Sequence, residues 1–539
     1  MRTVLLAAIL CAAPALAAPR AVSAAPAPGF VGELQRPDGG RLADEPQALR
    51  SYDAAAATRR RAEIDRALVH LRGPIGRANA RLDRATLRAA QARHERFDVV
   101  LKMIERDEAR FAPERARSDR EIARARTRER LDREIPRLRL AADLTLATAI
   151  EELTEVVCDP AGRGSGSGTY HQLPCRAQPG LEAWPALDEA LHRLGYVLLV
   201  GKRTDDAVRV YRRIVDETPR SPHRMNALVE LADHAFDEAD LATAESLYRA
   251  ALAAPAPTPA PAAPSLRAYA TYKLAWVLLN LGHGRDAFAA LATVPALATA
   301  AAAAAAAAEK TLVHAARRDL AHVFAAYGAP ADALDALEAA APGHGMELTL
   351  RVGQEWLEVR RPTDAIALYR ELMRRAPADP RRCEWQAAVA SGVQATGDLD
   401  ALIPELEALA AAHLEVRGEP AGARCAIDAT ALIEEVARKQ LSTAWTKRGT
   451  PLTAEYAERL YAAYVRAFPG DANVAAARLH RAEAASARAE KASGAVAAML
   501  WQRAAARFKE ALKAGGLDED QRDRALRYLS RARQRAAEP

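Results

Sequence analysis

Aromatic residues are scarce in this chain, since Phe, Trp and Tyr together make up only 5% of its 539 residues. No convincing run of alternating apolar and polar residues is present, so half-buried β-strands are not expected. Much of the apolar half of the sequence is alanine, a strong helix former. These shortages argue against a β-rich enzyme core. They favour an all-α chain. At 539 residues the chain is too long for one compact core, so two or three regions are expected.

Motifs that carry common chemistry are also missing. The glycine-rich stretch Gly162–Gly168 fits neither the dinucleotide-binding nor the phosphate-binding loop pattern. No H-E-x-x-H sequence and no C-x-x-C pair occurs, so we expect no catalytic residues, no metal site and no cofactor. A net charge of +6 is slight, and aromatic and basic residues are not interleaved, so nucleic acid is not an expected partner.

The N-terminus has the features of an export signal. Arg2 is followed by the short apolar stretch 4–13 and by Ala15-Leu16-Ala17, an A-x-A cleavage pattern. Residues 1–17 are therefore predicted to be a signal peptide, and the rest of the chain to be periplasmic. Cys11 leaves lipidation open as a less favoured alternative, because Leu10 stands where a small residue should precede a lipidated cysteine.

Four cysteines remain beyond the predicted signal peptide, an even number that suits disulfides in an oxidising compartment. Cys158 and Cys175 flank a Gly/Ser loop at 158–180 and could form one bridge. Cys383 and Cys425 could form the other. Free buried thiols are the alternative.

The first part of the chain is expected to differ from the rest. Residues 18–50 are rich in Pro and Ala and are predicted to form a disordered linker. Residues 53–157 are predicted to form charged helices punctuated by Pro74, Pro113 and Pro136. These helices could make antiparallel hairpins or a coiled coil, and self-association through them is one option.

A frame of small, aromatic and proline residues recurs further along the chain. Gly195, Ala207, Tyr211 and Pro219 form its best copy, within a unit of about 34 residues. Small residues at the eighth and twentieth positions let two helices approach closely. An aromatic residue at the twenty-fourth is expected to fill the gap against the next unit, and proline at the thirty-second to stop the second helix.

Further copies of the frame follow along the chain. Three of them contain Ala244-Tyr248-Ala251, Gly353-Trp356-Ala365-Tyr369-Pro377 and Ala457-Tyr461-Tyr464-Pro469. The pattern resembles the tetratricopeptide repeat, which implies a solenoid of helical hairpins over 185–415. Degenerate repeats and a C-terminal cap are expected over 416–539. An unrelated helical bundle is the structural alternative.

In this repeat family, set positions of the first helix line a partner-binding groove. Counting from the frames places the following residues there: Glu189, His192, Tyr196, Val229, Asp233, Phe236, Tyr269, Tyr272, Trp276, Asn280, Arg318, His322, Gln354 and Glu358. Aromatic side chains with mixed polar groups suit the capture of a peptide or a helix. Tyr272 and Trp276 could instead simply pack between helices.

Two short segments resemble a narrower group of proteins. Residues 272–276 (Tyr-Lys-Leu-Ala-Trp) and 382–386 (Arg-Cys-Glu-Trp-Gln) are similar to segments of the large exported repeat proteins of myxobacteria, some of which belong to the adventurous gliding-motility machinery. The resemblance implies a non-enzymatic periplasmic scaffold with protein partners in an envelope-spanning complex. An adaptor for peptidoglycan or outer-membrane maintenance is the second hypothesis. An enzyme with a site in the irregular segment 383–439 is a third.

Overall fold

A computed structural model of the chain describes residues 52–71, 73–111, 119–158, 181, 184–254, 263–299 and 306–537. The predicted signal peptide (1–17), the predicted linker (18–50) and nearly all of the predicted loop 158–180 lie outside the described residues. The chain divides into two compact units, Met1–Ala316 and Arg317–Pro539. This division falls within the range 185–415 in which the sequence places the repeats.

The described residues form an all-α helical-repeat solenoid with twenty α-helices. The helices of the first unit are α1 (Ala54–His70), α2 (Pro74–Phe111), α3 (Asp119–Val157), α4 (Leu187–Val200), α5 (Thr204–Glu217), α6 (Arg224–Asp237), α7 (Leu241–Ala253), α8 (Ala263–Asn280) and α9 (Gly284–Thr299). Helix α10 (Ala306–Tyr327) contains the division between the units.

The second unit continues with a short 3-10 helix, Pro330–Asp332, and ten α-helices. They are α11 (Ala333–Ala340), α12 (Gly345–Glu358), α13 (Pro362–Arg375), α14 (Arg382–Thr396), α15 (Leu399–Val416), α16 (Pro420–Ala444), α17 (Pro451–Ala467), α18 (Val474–Glu490), α19 (Gly494–Ala514) and α20 (Glu519–Ala537).

Helices α2 and α3 form a long antiparallel hairpin. Arg88 of α2 lies 3.3 Å from Glu152 of α3, and Arg96 of α2 lies 3.1 Å from Asp143 of α3. The later residue of α2 thus pairs with the earlier residue of α3, so the two helices run in opposite directions. Pro136 was expected to interrupt the helical run, but α3 continues through it. Ile135, next to the proline, is buried and packs against Val99 of α2. This packing compensates for the backbone hydrogen bond that proline cannot make.

The hairpin packs on the first repeat through one apolar cluster. Leu82 and Ala85 of α2, Leu153 of α3 and Leu194 of α4 are all buried in it, each 5% exposed or less. Complete burial of a leucine side chain stabilises a fold by about 1.5–3 kcal/mol. The charged N-terminal helices are thus part of the same core as the first repeat.

The small-and-aromatic frame accounts for the close approach of helices within a pair. A Cβ atom added to Gly195 of α4 would lie 2.7 Å from the ring of Tyr211 on α5. Gly353 of α12 and Tyr369 of α13 repeat the contact, again at 2.7 Å. The tyrosine therefore fills space within its own pair, and not only against the next unit. Helices α5, α13 and α17 end two residues before a proline of the frame.

We expect Gly353→Ala to destabilise the second unit, although alanine is the better helix former by about 1 kcal/mol. The added methyl group would overlap the Tyr369 ring, and such overpacking costs about 1–3 kcal/mol. Gly76→Ala is the matched control, because a Cβ atom there meets its nearest neighbour, Leu71 Cδ2, at an ordinary 3.4 Å. Urea unfolding of both variants would test this. A Gly353→Ala chain as stable as the parent would contradict the packing argument.

The last four helices are held together by a core and by ion pairs between helices. Trp501 and Phe508 of α19 are buried in a cluster with residues of α18 and α20. Glu458 of α17, whose side chain is only 3% exposed, lies 2.7 Å from Arg503 of α19. This ion pair links α17 directly to α19.

Candidate functional site

Half of the fourteen residues predicted to line the groove are buried. Each is 7% exposed or less, and they are His192, Tyr196, Val229, Asp233, Tyr269, Tyr272 and Trp276. The packing role that the sequence left open for Tyr272 and Trp276 fits this burial. Their contact with a partner stays a prediction.

Tyr196 is covered by the chain's own N-terminal hairpin. Its ring belongs to the apolar cluster that contains Ala89 of α2 and Leu146 of α3. Val197 and Val200 of α4 line the same small cavity as these residues. A partner could reach Tyr196 only by displacing the hairpin.

Asp233 is the centre of a buried polar network that joins three helices. Its carboxylate accepts hydrogen bonds from the hydroxyl groups of Tyr248 on α7 and Tyr269 on α8, the latter at 3.1 and 3.2 Å. The ammonium group of Lys273 lies 3.4 Å from the same carboxylate and 4.3 Å from the centre of the half-buried Phe236 ring. Burial of a charged pair costs desolvation energy, which these hydrogen bonds offset.

The network brings together three residues that the repeat frame placed in the groove, Asp233, Phe236 and Tyr269. It also contains Lys273 and Tyr248, which the frame did not assign to a site. A lysine within the apolar run of α8, about one repeat after Asp233 of α6, could have indicated the pair. Asn280, the last groove residue of this unit, is half-buried and donates a hydrogen bond to the Trp276 carbonyl at 2.8 Å.

A second polar cluster lies between α4 and the start of α6. The His192 and His223 rings stack with their centroids 4.4 Å apart, and His223 Nε2 lies 2.6 Å from a Glu189 carboxylate oxygen. Burial lowers the pKa of His192 to about 3, and the neighbouring positive charge of His223 adds to this effect. Burial of Glu189 opposes its ionisation, but hydrogen bonds from His223 and Arg193 and their charges outweigh it and lower its pKa to about 2.

We expect the first unit to lose stability in acid because of His192. The folded state holds this ring neutral down to a pKa of about 3, whereas the unfolded chain takes up the proton near the ordinary value of 6.5. The unfolded state therefore binds more protons between these pH values, and the free energy of unfolding falls by about 1.4 kcal/mol per pH unit as pH drops.

The test compares urea unfolding at pH 7 and at pH 5 for the parent chain, His192→Leu and the exposed control His70→Gln. His192→Leu should show the smaller loss between the two pH values, and His70→Gln should match the parent. Equal losses in all three chains would assign the acid sensitivity to other groups.

The predicted groove residues of the second unit are more accessible. His322 Nδ1 lies 2.6 Å from the Glu355 carboxylate, and this hydrogen bond raises the pKa of His322. Arg318 Nε donates to the buried Asp319 carboxylate at 3.3 Å. Gln354, next to Glu355 on α12, is exposed. These side chains could form hydrogen bonds and ion pairs with a partner, because they include both positively and negatively charged groups.

The cysteines form structural bridges in the described part of the chain. Cys383 of α14 and Cys425 of α16 are joined by a disulfide, with their Cα atoms 5.8 Å apart. Cys158 is disulfide-bonded as well, while Cys175, the partner expected from the sequence, lies outside the described residues. The ranges that the structure describes contain no group of three or more His, Cys, Asp or Glu side chains suited to a metal ion.

The segment 383–439, where the sequence leaves room for an enzymatic site, contains the buried His413. Its ring packs against Phe468 with centroids 4.6 Å apart, and no carboxylate of the described residues forms an ion pair with it. Among the described helices, none is both long enough and apolar enough to cross a membrane.

Comparison with known proteins adds little to this description. No protein-family model and no curated protein matches the chain. One solved structure that matches is a circular tandem repeat protein with a novel repeat topology and enhanced subunit contact surfaces. The match covers 89% of both chains at 11% identity and a TM-score of 0.13, a likeness too small to carry an argument.

Proposed function

We propose that this chain is a non-enzymatic scaffold of the tetratricopeptide type that holds protein partners in the cell envelope. The observation that carries the proposal is the repeated helix pair, in which Gly195 with Tyr211 and Gly353 with Tyr369 make the same contact. Stacked helix pairs build extended surfaces that suit protein binding. The exposed or half-exposed Gln354, His322 and Arg318 are the residues of the second unit that would contact a partner.

The disulfide between Cys383 and Cys425 supports a location outside the cytoplasm, since such bonds persist mainly in oxidising compartments. This agrees with the export signal predicted for residues 1–17. Membership of an envelope-spanning gliding-motility complex is the finer form of the proposal. It depends on the resemblance of residues 272–276 and 382–386 to repeat proteins of that machinery.

Site-specific photo-crosslinking in the native host would test the proposal. A photoreactive amino acid at Gln354 should give a discrete protein adduct. The same group at Arg374, whose side chain is 70% exposed on the second helix of the pair, is the matched control and should give none. No adduct at either position, or the same adduct at both, would count against a partner bound at the predicted groove.

Mass spectrometry of the adduct would distinguish the two envelope functions. Motor or trans-envelope motility subunits would support the gliding-motility form of the proposal. Peptidoglycan synthases or outer-membrane lipoproteins would favour the envelope-maintenance adaptor.

A further inference from the structure

A groove of about 340 Å³ lies between α19 and α20, away from the residues assigned to partner binding above. Four alanines line it, two from each helix, together with Gln502 and the positively charged side chains of Lys509 and Arg533. The alanines are Ala505, Ala506, Ala536 and Ala537. Small side chains along a groove let the backbone of an incoming helix approach closely.

Exposed apolar side chains extend the groove along each helix. Met499 is 58% exposed and lies seven residues before Ala506, which puts the two on the same face of α19. Leu526 is 48% exposed and stands seven residues before Arg533 on α20. The surface thus combines an apolar floor with contacts spread over about two helical turns of each helix.

Within the part of the chain that the structure describes, the two positive charges of the groove have no carboxylate partner. Arg507 and Arg524 of the same two helices do have carboxylate partners: Arg507 lies 2.8 Å from Glu510, and Arg524 lies 2.9 Å from Glu483. No carboxylate of the described residues lies within 4 Å of Lys509 or Arg533. An occupant carrying negative charge would supply the missing partners.

We propose that this groove binds an acidic amphipathic helix of another protein. The alanines, with Met499 and Leu526, accept the apolar face of that helix, and its carboxylates pair with Lys509 and Arg533. A second copy of the chain is a poorer occupant. A two-fold contact at this surface would place the Lys509 and Arg533 cations of one copy close to those of the other.

The probe is a fluorescein-labelled acidic peptide of about 18 residues, five helical turns, with leucine and alanine on one face and glutamate on its flanks. Its binding to the full chain is measured by fluorescence anisotropy at low salt. Saturable binding is expected, and Lys509→Glu/Arg533→Glu should weaken it about tenfold or more through like-charge repulsion. Lys447→Glu/Arg448→Glu is the matched control, because it makes the same change in net charge at exposed residues outside the groove.

Ala506→Arg separates occupation of the groove from simple attraction between charges. It adds a positive charge, which would strengthen non-specific attraction to the acidic peptide, yet it fills the groove and should abolish binding. Ala506 is exposed, so the arginine would occupy the open groove without entering the core.

Several results would overturn the proposal. They include no saturable binding up to about 1 mM peptide, binding to Ala506→Arg that is as tight as to the parent or tighter, and equal weakening by the groove and control reversals. Sedimentation showing a dimer of the parent chain that Ala506→Arg converts to a monomer would assign the groove to a second copy, and would overturn it too.

Discussion

Asp233→Ala is expected to destabilise the first unit by about 3–5 kcal/mol, the typical cost of removing one member of a buried ion pair. The reason is that Lys273 would remain buried without its carboxylate partner. Its side chain is 3% exposed, and its ammonium group would lose the carboxylate that now lies 3.4 Å away. The hydroxyl groups of Tyr248 and Tyr269 would lose their common acceptor as well.

The double variant Asp233→Ala/Lys273→Met shows whether Asp233→Ala destabilises the fold by leaving the Lys273 charge buried without a partner or by removing side-chain volume. Methionine keeps the length of the lysine side chain and can pack its sulfur against the Phe236 ring. We therefore expect the double variant to recover most of the stability that Asp233→Ala loses. Removal of a buried pair as a whole is often close to neutral.

Chemical denaturation followed by circular dichroism would measure these effects. Asp216→Ala is the control, because Asp216 is an exposed aspartate in the middle of the same repeat region, where substitutions change stability by about 0.5 kcal/mol or less. A double variant as unstable as Asp233→Ala would mean that the hydrogen bonds of the carboxylate, and not the charge of Lys273, dominate.

The positions of the helix pairs could be predicted because the signal is local. The spacing of Gly195, Ala207 and Tyr211 fixes where two helices cross, and the following proline fixes where the second one ends. The prediction that Pro136 would interrupt the helix was wrong because a non-local contact outweighed the local signal. A proline disfavours helix only by its local geometry, and the packing of α3 along α2 outweighs it.

The candidate site was harder to predict because a repeat position defines a direction but not what lies in that direction. Tyr196 was assigned to an open groove, yet the hairpin of α2 and α3 covers it. Nothing in the frame indicates which face a segment 50 to 100 residues earlier will cover. The pairing of Asp233 with Lys273 was missed for the same reason, since the two residues are 40 positions apart in different repeats.

Loss of the disulfide between Cys383 and Cys425 should cost the second unit about 4 kcal/mol, if the bond acts mainly by restricting the unfolded chain. The bridge closes a loop of 42 residues. It connects α14 to α16, which are the first helices of two neighbouring helix pairs. Both cysteines are fully buried, so Cys383→Ala/Cys425→Ala removes the link without exposing new surface.

Chemical reduction of the chain must be compared with removal of the two cysteines, because a reductant would also break the disulfide of Cys158. Hydrogen exchange of α14 and α16, followed by mass spectrometry with and without dithiothreitol, reports on the second unit alone. The parent chain should lose protection in these helices when reduced. The double alanine variant should be less protected from the start and unchanged by the reductant.

The result bears on where the chain can function. If α14 and α16 keep their protection in the reduced parent and in the variant, the solenoid does not depend on the bond, and the disulfide ceases to support an oxidising compartment. If both lose it, the second unit reaches full stability only where the disulfide can form, as in the cell envelope. The stability of the repeats would then depend on an oxidising compartment, which the proposed export would supply, because in a reducing cytoplasm the helices around Cys383 and Cys425 would be less stable.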